Sequence, residues 1–297
     1  MAVPFKSPVR VRRALTRLAL NWLTKPLKGY NLRIPNDVAT LKRQIRKGDV
    51  LLVEGNERLS ECIKYLTQSC WSHAALYVGD EGLRRGPELR QKLLEQFGAE
   101  ANHLIVEALV EEGVVLSPLV KYRDFNLRVC RPYNLTRPHL AEVLDEVLST
   151  VGYTYDLRNI FDLARYFLPV RMVPRRWRER ALRFGSGEPT RVICSSMIGG
   201  AFRKVRFPII PVYREPPQRE PRPRRLARLL RRADPRYFGL LENVPSGLIT
   251  PRDFDLSPYF EVVKFNLREE FNFDYRQIRW VDQQRHEGGL EKDLSER

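Results

Sequence analysis

Acidic residues are missing from the first 36 positions, the earliest being Asp37. Nowhere does the chain approach the roughly eighteen uninterrupted apolar residues of a membrane-spanning helix, so no transmembrane anchor is expected. Cysteine is scarce too: Cys62, Cys70, Cys130 and Cys194 stand apart, with no Cys-x-x-Cys pair. Such sparse spacing excludes a disulfide scaffold and fits a reducing compartment. Cys62, Cys70 and His73 could be drawn as metal ligands, but no second matched pair accompanies them. No metal site and no organic cofactor is therefore expected. Near the start, Leu18-Ala19-Leu20 is too short for a secretory apolar region and no small-residue cleavage site follows it. A cytoplasmic location is the expectation, with peripheral membrane attachment left open.

Basic residues are abundant. Lysine and arginine number 52 against 36 acids, a net charge of +16, while a 43% hydrophobic content is that of a globular chain with a real core. Residues 1–35 form a basic leader in which Val11, Ala14, Leu15, Leu18 and Trp22 recur at helical spacing and Arg10, Arg13 and Arg17 fall on another face. An amphipathic helix of this kind either lies on an anionic membrane surface or docks on the domain that follows. That domain is expected over 36–282, with Arg-rich insertions at about 157–190 and 208–236 and a polar tail at 283–297. The first insertion interleaves eight arginines of 157–184 with Phe161, Tyr166, Phe167 and Trp177. The second contains REPPQREPRPRR, read as a loop or extended surface segment.

Within the domain, the patterning predicts strands at 49–53, 72–79, 103–109, 114–116 and 126–131, and a last one at 260–265. Helices are expected at 58–69, within 86–100, and from a Thr136 cap to about 151, with Leu140, Val143, Leu144 and Val147 turned inward. The segment ITPRDFDLSPY reads as turn-like. Strands gathered ahead of helices indicate an α+β fold rather than repeating βαβ units.

Three residues carry chemical interest. His73 stands in the apolar strand SHAALYVG. Cys194 opens the small-residue segment CSSMIGGAF, suited to a helix N-terminus, where the dipole favours a thiolate. Glu107 interrupts the apolar strand HLIVEAL and could orient an imidazole. Spacing alone does not bring the three together, and each has a bland reading: a core histidine, an inert buried cysteine, a glutamate on a solvent face.

As an ordered set they resemble a known family. GDVLLVEGN, SECIKYLTQSCWSHAALYVG, IVEAL, GYTYD and ICSSMIGGAF are similar to segments of the circularly permuted NlpC-type cysteine hydrolases, the YiiX/YaeF/YebB-like branch of the papain-like superfamily. ITPRDFDLSPYFEVV resembles that family's closing segment. The resemblance implies a permuted papain-like fold, an antiparallel sheet packed against helices with the nucleophile at a helix N-terminus. It assigns Cys194 as nucleophile, His73 as general base and acid, Glu107 as the group holding the imidazole, and Tyr155 as an oxyanion donor beside the Cys194 amide. Asp156 would fix the turn. Ser196 departs from the pattern, standing where many relatives carry an acidic residue that would contact substrate. A 38-residue separation between Tyr155 and Cys194 is the second departure, and both bear on the substrate rather than the mechanism.

The implied activity is cleavage of an amide or ester through an acyl-enzyme on Cys194, by hydrolysis or acyl transfer. The basic leader and aromatic-arginine insertion suit an acyl-lipid or N-acyl amide at a membrane surface. Two alternatives stand beside it: a cell-wall-type peptide amidase or endopeptidase, and a non-catalytic protein binding an anionic ligand, nucleic acid or lipid. Nucleic acid is the less expected partner, since no helix-turn-helix, zinc-finger or RNP-like signature accompanies the charge.

Overall fold

A computed structural model describes residues 24–27, 29–110, 112–153, 193–214, 240–243 and 246–265. The amphipathic stripe of the leader, the 157–190 insertion, Tyr155 with Asp156, and the polar tail lie outside these residues. So does most of the 208–236 segment.

Six antiparallel strands form the main sheet: β1 (Val50–Glu54), β2 (His73–Gly79), β3 (Leu104–Leu109), β4 (Gly113–Pro118), β5 (Asn126–Pro132) and β8 (Phe260–Val263). Their spatial order is β4-β3-β2-β1-β5-β8. Each lies within two residues of a predicted strand. The central strands read as continuous apolar runs because both faces are covered. Along β1, Val50 and Leu52 join one core and Leu51 and Val53 the other, and all four are buried. The α+β architecture expected from the sequence, an antiparallel sheet packed against helices, is the one observed.

On the first face pack α4 (Arg137–Ser149) and α5 (Ile193–Lys204), through Val143, Leu144, Val147, Ile198, Ala201 and Phe202. Thr136 caps α4 by accepting from the His139 N–H, as its sequence predicts, although Leu140 is only partly buried. The second face is covered by α1 (Val38–Gln44) and a 3₁₀ turn, Leu119–Tyr122, which bring Leu41, Leu119 and Tyr122 onto Leu51, Ala75 and Ile105. The helices α2 (Arg58–Thr67) and α3 (Pro87–Phe97) occupy the connections after β1 and β2.

Four short elements go beyond the sequence reading. The helix α1 went unpredicted because seven residues hold too few periods to register, and its Asp37 cap bonding the Thr40 amide is the local signal for it. ITPRDFDLSPY is not simply a turn. Thr250 and Asp253 form a capping box with Pro251 in the first turn, and α6 (Pro251–Leu256) follows. Finally, the arginine-rich segment, expected as a loop or extended surface segment, begins extended and paired: β6 (Pro211–Arg214) runs antiparallel to β7 (Leu240–Asn243). Pro and Arg flanking these four-residue strands mask their strand character in sequence.

The part of the leader from Thr24 onward runs along the domain. Pro26 makes an isolated bridge with Glu57, the Tyr30 hydroxyl donates to the Glu54 carbonyl, and the Arg33 amide donates to Asn126 Oδ1 at 2.8 Å.

Candidate active site

His73 is the first residue of β2 and pairs across the sheet with Val53. Strand alternation turns its ring to the face of Ala75 and Tyr77. Glu107 lies on β3 and shares that face with Ile105. Its side chain has no exposed surface, which contradicts the solvent-face reading of a strand glutamate. A carboxylate removed from water must be paired and hydrogen-bonded. Here His73 Nε2 donates to Oε2 at 2.8 Å, Lys121 Nζ to Oε1 at 2.6 Å, and the Tyr122 hydroxyl to Oε2. With Nε2 engaged, Nδ1 is the ring nitrogen left for the thiol.

Cys194 is the second residue of α5 and is buried, packed in the core of the opposite face. It reaches His73 because β2 and β3 part company. Their pairing ends at Leu76↔Val106, and beyond that point β3 stays paired with β4 alone. The Tyr77 N–H donates to the Asp49 carbonyl on the β1 side, so alternation turns the Ala74 N–H toward β3. Among the described residues no strand meets it there. The Ala74 amide bonds the Cys194 sulfur instead, together with the Ser195 amide and the His73 ring.

Alanine at 74, fully buried, leaves room for the helix end to enter. Behind the nucleophile, α5 is fastened by Ser195, whose buried hydroxyl donates to the Ile249 carbonyl. Gly199 lets the 246–250 segment approach, since a Cβ there would lie 2.6 Å from Ile249 Cδ1 and 3.3 Å from its Cβ. Ser196 occupies the same first turn and is half-buried.

The electrostatics follow from this arrangement. Burial alone would raise the Cys194 pKa, but the His73 charge and hydrogen bond and the two backbone amides outweigh it and lower it. Burial would likewise depress His73. Against that, the Cys194 thiolate and the Glu107 carboxylate favour the imidazolium and raise its pKa to about 10. Glu107 is held below the usual carboxylate range by His73 and Lys121, despite a burial effect in the opposite direction. Burial and the neighbouring Glu107 charge push the Tyr122 phenol up, keeping it a neutral donor. The arrangement favours a thiolate–imidazolium pair beside a buried counter-anion, a chemistry that could serve a nucleophile joined to its own general acid.

Of the residues expected from sequence, His73, Glu107 and Cys194 converge, Ser196 lies on the same helix turn, and Tyr155 falls outside the described residues. Lys121 and Tyr122 were missed. They sit in PLVKYRDF, fourteen and fifteen positions after Glu107, where nothing local separates a carboxylate partner from a surface lysine beside a core tyrosine. Trp71 was missed as well: its indole donates to Asp255 Oδ2 at 3.0 Å, while Arg128 stacks 5.1 Å from the ring centroid and also bonds Asp255. Among the described residues no group of three or more His, Cys, Asp or Glu side chains could hold a metal ion.

Comparison with known proteins bears on the same residues. No curated protein matches the sequence. Among solved structures, the crystal structure of the metalloprotein YiiX from Escherichia coli O157:H7 is similar at 14% identity and a TM-score of 0.41, covering 75% of this chain and 98% of that one. Residues 44–168 match the model of a family described as permuted papain-like amidase enzyme, YaeF/YiiX, C92 family. The matched segment carries His73 and Glu107 and stops ahead of Cys194. Over that segment the chain is similar to the permuted papain-like amidases.

Proposed function

We propose that the protein cleaves an amide or ester through an acyl-enzyme on Cys194, with an N-acyl amide or acyl-lipid at a membrane surface as substrate. The observation that carries the mechanism is the hydrogen-bonded chain Cys194–His73–Glu107, closed by a carboxylate with no exposed surface. The thiolate attacks the carbonyl carbon, and the C–S bond forms as the carbonyl electrons move to oxygen. The Cys194 N–H, in the first turn of α5 where no intrahelical acceptor exists, is one donor to that oxyanion, and the Tyr155 hydroxyl is proposed as the second. His73 then gives its proton to the departing nitrogen or oxygen. In the second half-reaction it takes a proton from water or another acceptor, which attacks the thioester and frees Cys194. Glu107 keeps the ring oriented and its charge balanced throughout. Ser196 would contact the substrate from the first turn of α5.

The family description, amidase, favours an amide. A lipid substrate is supported by the acid-free leader of residues 1–35 and the net charge of +16. Among the described residues no helix is long and apolar enough to cross a membrane, so the reading is of attachment at a surface. Two measurements test it. Iodoacetamide should modify Cys194 rapidly at pH 6 to 7 in the wild type and slowly in His73→Ala; an ordinary thiol profile, with rates rising only near pH 8.5, overturns the hydrolase reading. Turnover of an N-acyl amide in anionic vesicles should then exceed turnover of a murein peptide, and the reverse order overturns the lipid assignment.

A further inference from the structure

Glu107 has one more cation than the reaction requires. An imidazolium would suffice to balance it, yet Lys121 lies 2.6 Å from Oε1 while His73 takes Oε2. The lysine comes from the 3₁₀ turn after β4, and its side chain remains 36% exposed, so its stem is not needed to fill the core. Beside it Tyr122 is buried, donates to Oε2, and stands 6.0 Å from the His73 ring, centroid to centroid. Two adjacent residues of one turn therefore grip both oxygens of the carboxylate that holds the catalytic ring.

We propose that Lys121 is a positioning residue that limits how firmly His73 retains its proton, by sharing the charge of Glu107, with Tyr122 fixing the carboxylate's orientation. This rests on the assignment of Cys194 and His73 as nucleophile and general acid. The physical need is plain. An imidazolium facing both a thiolate and an undiluted buried carboxylate is a poor acid, and it must still protonate a leaving group for the acyl-enzyme to form. The groups facing His73 are Cys194 from α5, Glu107 from β3 and Tyr122 from the turn; Glu57, ahead of α2, acts on Tyr122. Of these neighbours and their partners, Lys121 is the cation, and it acts on the imidazolium through Glu107.

The test uses the full chain with Cys194→Ala, so that the thiolate does not contribute. His73 is titrated by imidazole NMR, its signal assigned by loss in His73→Ala. Lys121→Met should raise the His73 midpoint by about one pH unit, and Lys121→Arg should restore it. In the Cys194 protein, Lys121→Met should carry the same displacement into the alkaline limb of 4-nitrophenyl acetate turnover. A His73 midpoint that is unmoved or lowered in Lys121→Met overturns the proposal. So does a rise of equal size in Lys121→Arg, which would mean that the charge is not what matters. Failure of the hydrolase reading is seen separately, as an ordinary thiol profile in the wild type, while the His73 titration is measured without the thiol.

Discussion

At opposite ends of the same sheet, two carboxylates are buried. Glu107 has no exposed surface and Asp49 is 1% exposed. Both are well hydrogen-bonded: Asp49 accepts from Arg131 at 3.0 and 2.8 Å and from the Arg46 amide at 2.8 Å. Their acidities nevertheless move in opposite directions. For Asp49 burial wins, and its pKa is raised although Arg131 and Arg46 both pull it down. For Glu107 two cationic partners, His73 and Lys121, overcome the burial penalty. The histidines divide likewise. His103, 2.9 Å from the Tyr77 hydroxyl, is lowered by burial and by Lys42, whereas His73 is raised. So do the cysteines: Cys130 is pushed up to about 12 by burial, and Cys194, also buried, is lowered. One end ties β1 to β5 and α1, Arg131 also bonding the Gln44 carbonyl; the other stores a charge pair. Burial and cationic partners are common to both, so the identity and placement of the partners decide which carboxylate stays charged.

The comparison breaks most sharply at the thiols. Cys194→Ser should reduce turnover by more than about a thousandfold and remove the fast alkylation, while Cys130→Ser leaves the rate per folded molecule unchanged. The wild-type rate should climb as pH rises through the lowered Cys194 value and fall as it passes the His73 value of about 10, because thiolate and imidazolium must coexist. A single sigmoid with no alkaline fall would remove His73 from its role as acid.

The carboxylates give the next contrast. Glu107→Gln withdraws the anion that sustains the imidazolium, and alkylation at pH 6.5 should slow by roughly tenfold, about one pKa unit. Asp49→Ala strands Arg131 and should cost about 3 kcal/mol in denaturant unfolding without altering the alkylation profile. An altered profile in Asp49→Ala would show the two ends to be coupled.

Packing behind the nucleophile lies lower on the scale. Gly199→Val drives its side chain into Ile249 and should destabilise the fold by about 2 kcal/mol, measured by thermal or urea unfolding. Smallest of all is Arg33→Ala. Arg33 is 60% exposed where it meets Glu54, and its loss should change stability by less than about 0.5 kcal/mol. A larger loss would show that the leader's passage over β1 is a structural fastening.

Legibility in the sequence followed the range of the forces. The strands of the main sheet, the Thr136-capped helix and the helix opening at Cys194 are written in local periodicity and caps, which act over a few residues. His73, Glu107 and Cys194 could be singled out as ionisable or nucleophilic groups set in apolar or small-residue segments, and the family resemblance supplied their order. Short elements were illegible for the converse reason. α1 and the β6–β7 ladder are too brief to establish a period, and the arginines and prolines around the ladder dilute what signal it has.

What the sequence alone determined is thus the strands of the main sheet, the longer helices and the chemical types available at the site. Only the tertiary structure decided that β2 and β3 separate beyond Leu76↔Val106, admitting the end of α5 so that a thiol from one core meets a histidine from the other face. It also decided that Lys121 and Tyr122 close on Glu107. Those contacts join residues distant in the chain, and the free energy of a buried charge depends on what surrounds it in space, which no local window of sequence contains.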